Sequence, residues 1–174
     1  WEHYYSKDQP ANFGIGGDQT QHVIWRIANG ELDGIAPKVT VLMLGTNNTG
    51  ANTASEIFAA DKKIVELIRA KIPGTKVLVL AIFPRGARKD KAGQITDAAV
   101  TDAAKRMAVI NAVNAELAKL DDGQNVRFLD INSVFVGQDG KIPFAIMPDQ
   151  LHPNAAGYQL WADAMDPLLT EMLK

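Results

Sequence analysis

The sequence predicts an α/β fold: a parallel, doubly wound sheet between two helical layers. Three observations predict it. Val39-Thr40-Val41-Leu42-Met43-Leu44 and Val77-Leu78-Val79-Leu80-Ala81-Ile82 are short, nearly continuous apolar runs, as strands buried on both faces require. Segments with helical apolar spacing alternate with these runs, which is the order of βαβ units. Each run ends in residues that turn the chain, Gly45-Thr46-Asn47-Asn48 in one case and Pro84-Arg85-Gly86 in the other.

Composition sets the bounds. With 174 residues, 47% of them hydrophobic, the chain reads as a single domain over 1–174 with room for a sizeable core. The 18 basic and 20 acidic residues leave a net charge of −2 and form no long run, so there is no electrostatic footprint for nucleic acid. No apolar run approaches the roughly 18 residues of a membrane span. Cysteine is absent, which excludes disulfides and thiolate metal sites. The histidines His3 and His22 have no ligand spacing, so no metal is expected. His22 reads as a packing residue. The compartment stays open between secreted, periplasmic and cytoplasmic, and so does assembly into a homo-oligomer.

Trp1 to Tyr5 is aromatic and reads as the end of a helix or loop packed on the body. Ala11 to Ile15 reads as a short strand, followed by a Gly16-Gly17-Asp18 turn. Thr20 to Asn29 carries Val23, Ile24 and Ile27 at helical spacing and stops at Asn29-Gly30. After the strand at Val39, Thr53-Ala54-Ser55-Glu56 is a capping box that opens a helix to about Lys71. Pro73-Gly74 breaks that helix before the strand at Val77. Residues 86–95 are polar and read as a mobile loop. Thr96 to about Leu120 is an Ala-rich helix with Met107, Ile110, Val113, Asn114 and Leu117 along one face. Val126 to Asp130 is a third strand. Finally Asn154 caps a helix over Ala155 to Leu173, with Leu160, Trp161, Ala164, Leu168 and Met172 expected to face the core.

Ligands of such sheets lie beyond the C-terminal strand ends. Met147-Pro148-Asp149-Gln150-Leu151-His152-Pro153-Asn154 precedes the last helix. Pro153 disfavours the α region for His152, so Asp149 and His152 fall in a loop. An acid that fixes one tautomer of a histidine leaves the other ring nitrogen free to take a proton from a nucleophile. Taken alone, the pair also fits a surface Asp-His contact at a helix entrance. Gly14-Ile15-Gly16-Gly17-Asp18-Gln19 lacks the third glycine of a dinucleotide fingerprint, where Gln19 stands instead. The Gly17 N–H at a tight turn and the Asn47 amide after a buried strand are both donors suited to a developing oxyanion, or simply turn residues. Arg85 either lines the pocket or binds a carboxylate.

These segments together resemble a known family. Asn12 to Thr20, His22 to Arg26, Asn29 to Leu32, Gly45 to Asn48, Pro84 to Gly86 and Asp149 to His152 are similar, in this order, to motifs of the SGNH (GDSL-type) esterases. The likeness is strongest to the branch that includes the catalytic subunits of platelet-activating-factor acetylhydrolase, type Ib. The resemblance implies a three-layer, flavodoxin-like SGNH fold and a serine esterase without metal or organic cofactor. It implies Gly17 and Asn47 as oxyanion donors and Asp149 and His152 as two members of a triad. Asp18, Asn48 and Arg85 are carried as substrate-binding candidates. The implied substrate is a small-molecule or polysaccharide acyl ester, commonly an acetyl ester.

One family block is missing. The nucleophile would be the serine of a Gly-Asp-Ser motif, and residues 1–174 contain none. Ser6, Ser55 and Ser133 do not follow a predicted buried strand. The nucleophile and the first central strand are therefore expected upstream of Trp1, between the strands at Phe13 and Val41. The alternative expectation is a non-catalytic binding module that keeps the pocket without a nucleophile, and a nucleotide binder ranks last.

Overall fold

The computed structural model describes residues 2–174. Trp1 lies outside them, as do the side chains of Glu2 and His3 and hence the readings made on them. The elements are α1 (Glu2–Tyr5), α2 (Thr20–Ala28), β1 (Val39–Leu42), α3 (Ala54–Lys71), β2 (Lys76–Leu80), α4 (Asp97–Leu117), β3 (Val126–Leu129) and α5 (Ala155–Leu173). The strands form one parallel sheet in the order β1-β2-β3, with Val39 opposite Lys76 and Val77 opposite Val126. This is the α/β architecture that the apolar runs predict.

Side-chain alternation along β2 builds the layers. Val77 and Val79 point to one face, where α2, α3 and α4 close a core with Ile27, Ile57, Ile64, Ile68, Ile110 and Val113. Leu78 and Leu80 point to the other, where α5 and Tyr5 cover them with Ala162, Met165, Leu169 and Met172. A third cluster, Phe83, Ile131, Phe135, Ile142 and Met147, lies under the loops that follow the strands. Within it Phe83 meets Phe135 at a ring separation of 4.6 Å, and Trp161 packs edge-on against Phe83. That cluster is the floor on which the candidate site stands.

Four expectations are corrected. Ala11 to Ile15 forms no strand, and Phe13 and Ile15 are exposed. A strand exists only where a neighbour supplies its ladder, and none lies beside this segment among the described residues. It is held instead by an Asn12 side chain that accepts the Gly14 N–H at 2.9 Å and by Arg26, which donates to the Phe13 carbonyl at 3.0 Å. β1 is half-buried at all four positions rather than buried on both faces, because among the described residues it pairs only with β2.

Met172 is buried on α5 as expected, but the rest of its buried stripe, Ala162, Met165 and Leu169, lies one position round from Trp161, Ala164 and Leu168. Leu160, Trp161, Ala164 and Leu168 are half-buried along its flank, where Trp161 and Leu168 pack against the α5 cluster and Trp161 and Ala164 against the third. The fourth correction concerns His22. It is half exposed, and its Nδ1 accepts the Gln19 N–H at 3.2 Å in a capping box at the start of α2. It packs in no core.

Candidate active site

The loop before α5 is built by proline, asparagine and a left-handed residue. Asn154 caps α5 by accepting the Gly157 N–H at 3.1 Å, while its own amide donates to the Ala145 carbonyl at 2.7 Å. Gly157 has no alternative, since a Cβ there would meet the Ile146 carbonyl oxygen at 2.7 Å and Pro153 at 2.8 Å. Gln150 takes φ +60 and is buried, with its side-chain amide donating to the carbonyls of Ile142 and Met147, each at 3.1 Å. Holding a non-glycine residue in the left-handed region costs of order 1–3 kcal/mol, so the surrounding bonds must over-determine it. Gln150 thus turns the chain so that Asp149 and His152 stand on the same side.

Asp149 and His152 are in contact. The His152 ring Nδ1 lies 2.8 Å from Asp149 Oδ2, and Asp149 Oδ1 accepts the N–H groups of His152 at 2.8 Å and Leu151 at 3.1 Å. Partial burial of the Asp149 carboxylate would raise its pKa. The His152 main-chain N–H, the His152 ring and the Leu151 N–H outweigh this and hold it below the usual carboxylate range. An ionised carboxylate at Nδ1 selects the tautomer with the proton on Nδ1 and leaves Nε2 as the base. The His152 side chain is 73% exposed, so Nε2 is reachable. Arg88 approaches the same Asp149 oxygen at 3.3 Å.

The oxyanion candidates come together in a second group. Gly17 has φ +86, a conformation that glycine adopts without strain. Asn47 lies in a 3-10 turn that follows Gly45, itself at φ +109. The Asn47 amide donates to the Asp18 carbonyl at 2.8 Å, and the Gln19 amide donates back to the Asn47 carbonyl at 3.2 Å. Asn48 is buried, and its side chain accepts the Thr20 N–H at 3.1 Å while donating to Gln21 and Asn52. The Asp18 carboxylate is engaged by Arg26. The Asp18 carbonyl and the Asn48 side chain therefore hold the two turns to each other.

Arg85 connects the groups. Its Nη1 donates to the carbonyl and hydroxyl of Thr46 at 3.1 and 3.2 Å, and the next residue, Gly86, donates its N–H to the Gln150 carbonyl at 2.9 Å. A continuous run of hydrogen bonds thus joins the Asn47 turn to the His152 loop at the ends of β1 and β2. Burial and the neighbouring Arg106 lower the Arg85 pKa, yet guanidinium remains charged at any neutral pH. Sequence reasoning missed Arg26, Gly86 and Gln150 as supports, because their contacts cross between loops far apart in the chain. None of Ser6, Ser55 and Ser133 hydrogen-bonds to His152. A groove of about 390 Å³ between α4 and β3 contains none of the sequence-predicted site residues.

Comparison with known proteins identifies the family. Residues 1–160 match the model of the GDSL-like lipase/acylhydrolase family. The chain is 38% identical over its whole length to platelet-activating factor acetylhydrolase IB subunit alpha2 of Rattus norvegicus, covering 70% of that protein. Subunit alpha1 from Bos taurus is also 38% identical, over 99% of this chain and 68% of that protein. Among solved structures, a GDSL-like lipase from Bacteroides thetaiotaomicron superposes with a TM-score of 0.71 at 19% identity, covering 97% of this chain and 79% of that one.

Proposed function

The chain belongs to the GDSL-like lipase/acylhydrolase family and is a carboxylic ester hydrolase, and on that premise we propose that it removes a small acyl group, acetyl above all, from a lipid or carbohydrate ester. Catalysis uses a Ser-His-Asp triad of which Asp149 and His152 are two members. The attacking hydroxyl is that of the family's Gly-Asp-Ser serine, which is none of Ser6, Ser55 and Ser133. The observation that carries this reading is the Asp149–His152 pair, with Nδ1 committed to the carboxylate at 2.8 Å and the rest of the ring exposed.

The steps follow from these roles. His152 Nε2 takes the serine proton as the oxygen attacks the ester carbonyl. Negative charge builds on the carbonyl oxygen, where the Gly17 N–H, the Asn47 amide and the serine N–H receive it. The tetrahedral adduct collapses as His152 returns the proton to the departing alcohol, leaving an acyl-serine. Water then repeats the sequence with His152 as base and releases the free acid. Arg85 stands at the pocket wall and orients polar groups of the substrate, whereas Asp18 and Asn48 shape the pocket through the turns that they hold. The names of the relatives, both acetylhydrolases, support the choice of acetyl.

Labelling of the full-length protein with a fluorophosphonate probe tests the proposal. Covalent modification of a serine, lost in His152→Ala, is the expected result. Ligand binding without labelling would instead establish a non-catalytic module.

A further inference from the structure

Arg26 holds the segment that carries the Gly16-to-Asp18 turn at two points, Phe13 and Asp18, and is itself held by Glu31. Its guanidinium meets the Asp18 carboxylate through Nη2, the Glu31 carboxylate through Nη1 at 2.6 Å, and the Phe13 carbonyl through Nη1 at 3.0 Å. The three charged side chains are each only 14–17% exposed. A pair this shielded is screened little by salt, and its geometry is enforced, since losing one partner leaves a buried charge unpaired. Three contacts of this kind also require a planar fork, which a lysine ammonium cannot reproduce. The chain between Phe13 and Asp18 is thereby fixed at both ends, with Gly17 inside it.

The same residue reaches the other donor. The main-chain carbonyl of Asp18 accepts one N–H of the Asn47 amide at 2.8 Å. A side-chain amide has two hydrogens in one plane, so committing the first fixes the direction of the second. Asp18 is therefore a pin with two ends. Its carboxylate is held by Arg26, and its carbonyl orients Asn47. Any shift of Asp18 would move the Gly17 N–H and the Asn47 amide together.

We propose that Arg26 is a positioning residue for the oxyanion donors, acting through Asp18, with Glu31 holding Arg26 in place. This rests on the reading of Gly17 and Asn47 as those donors. Arg26 touches no substrate in this role; it sets the spacing of two donors that otherwise sit on separate turns.

The test compares Arg26→Met, Arg26→Lys and Glu31→Gln in the full-length protein, each with Asn47 intact and in an Asn47→Ala background, using p-nitrophenyl acetate. Arg26→Met should lower kcat by roughly 10-fold or more, short of the 10²–10³ of deleting a donor, with KM changed by less than about 3-fold. Arg26→Lys should not restore it, and Glu31→Gln should show the smaller loss. In the Asn47→Ala background the Arg26 effect should shrink, since one of the two donors that it places is gone. Proton–nitrogen spectra should show the Asn47 amide hydrogens, distinct in the wild type, moving in Arg26→Lys. If Arg26→Met does not fold, Arg26→Lys is read by the same criteria. Equal kcat losses in both backgrounds, or an Arg26→Met enzyme with wild-type kcat, would overturn the proposal alone. An Asn47→Ala enzyme with wild-type kcat would remove the oxyanion reading and this inference together.

Discussion

The main-chain N–H of Gly86 donates to the carbonyl of Gln150 at 2.9 Å, so the loop after β2 is bonded directly to the loop that carries His152. A Cβ at position 86 would lie 2.1 Å from Gln150 Oε1 and 2.9 Å from its Cδ. Gln150 cannot swing aside, because it is buried and its amide is bonded to two carbonyls. Gly86→Ala should therefore cost about 1–3 kcal/mol through overpacking. In a domain of this size that lowers Tm by roughly 2–4 °C per kcal/mol. Turnover should fall more than stability alone explains, as the His152 loop shifts. A thermal melt and a kcat measurement, both unchanged, would contradict the coupling of these loops.

The Asp149 carboxylate is held below the usual range by the hydrogen bonds it accepts from His152 and Leu151, which outweigh the raising effect of burial. The unfolded chain then binds its proton more tightly than the folded one, so the contribution of Asp149 to stability is full above its unfolded pKa of about 3.9. It is lost as pH falls through the lower folded value. The stability gap between wild type and Asp149→Asn should be constant near neutrality and should close under acid. Urea denaturation across pH 2–7 checks this, and a gap that widens on acidification would refute it.

Asp61 has the opposite sign. It is 2% exposed on the core side of α3, and neither carboxylate oxygen has a hydrogen-bond partner among the described residues. It lies beneath the Asn47 turn, 3.5 Å from where a Gly45 Cβ would stand. Burial pushes its carboxyl well above the usual range, and no charged neighbour opposes this. The folded state then holds the proton more tightly, so stability declines as pH rises above the unfolded pKa of about 3.9 toward the folded one. Asp61→Asn and Asp61→Leu should both flatten that decline, with a Tm gain over wild type that grows from pH 4 to pH 8. A Tm difference independent of pH would show that Asp61 is ionised and partnered.

Much of this was legible in the sequence because it depends on neighbours in the chain. Thr53 and Glu56 form the capping box that their spacing announces, with Glu56 Oε2 2.8 Å from the Thr53 N–H. Thr96 and Asn154 cap their helices, and the alternation in β2 sends Val77 and Leu78 to opposite layers. The Asp149–His152 contact spans three residues and is equally local. What the sequence did not reveal depends on contacts between distant segments. Arg26 on Asp18, Asn47 on the Asp18 carbonyl, and Gly86 on Gln150 have no periodic signature. On α5 only Met172 of the expected residues is fully buried, because Trp161 is large and apolar but packs half-buried at the flank, on Phe83. Ala11 to Ile15 has strand composition without a strand partner among the described residues, and composition supplies no ladder.

The central claim is that His152 is the base of an ester-cleaving triad oriented by Asp149. The most direct test is the kcat of full-length His152→Ala on p-nitrophenyl acetate, with Asn47→Ala measured beside it. Loss of kcat by more than about 10³-fold for His152→Ala, and by about 10²–10³-fold for Asn47→Ala with KM within a few-fold, is the predicted result. Turnover by His152→Ala near that of the wild type would contradict the account.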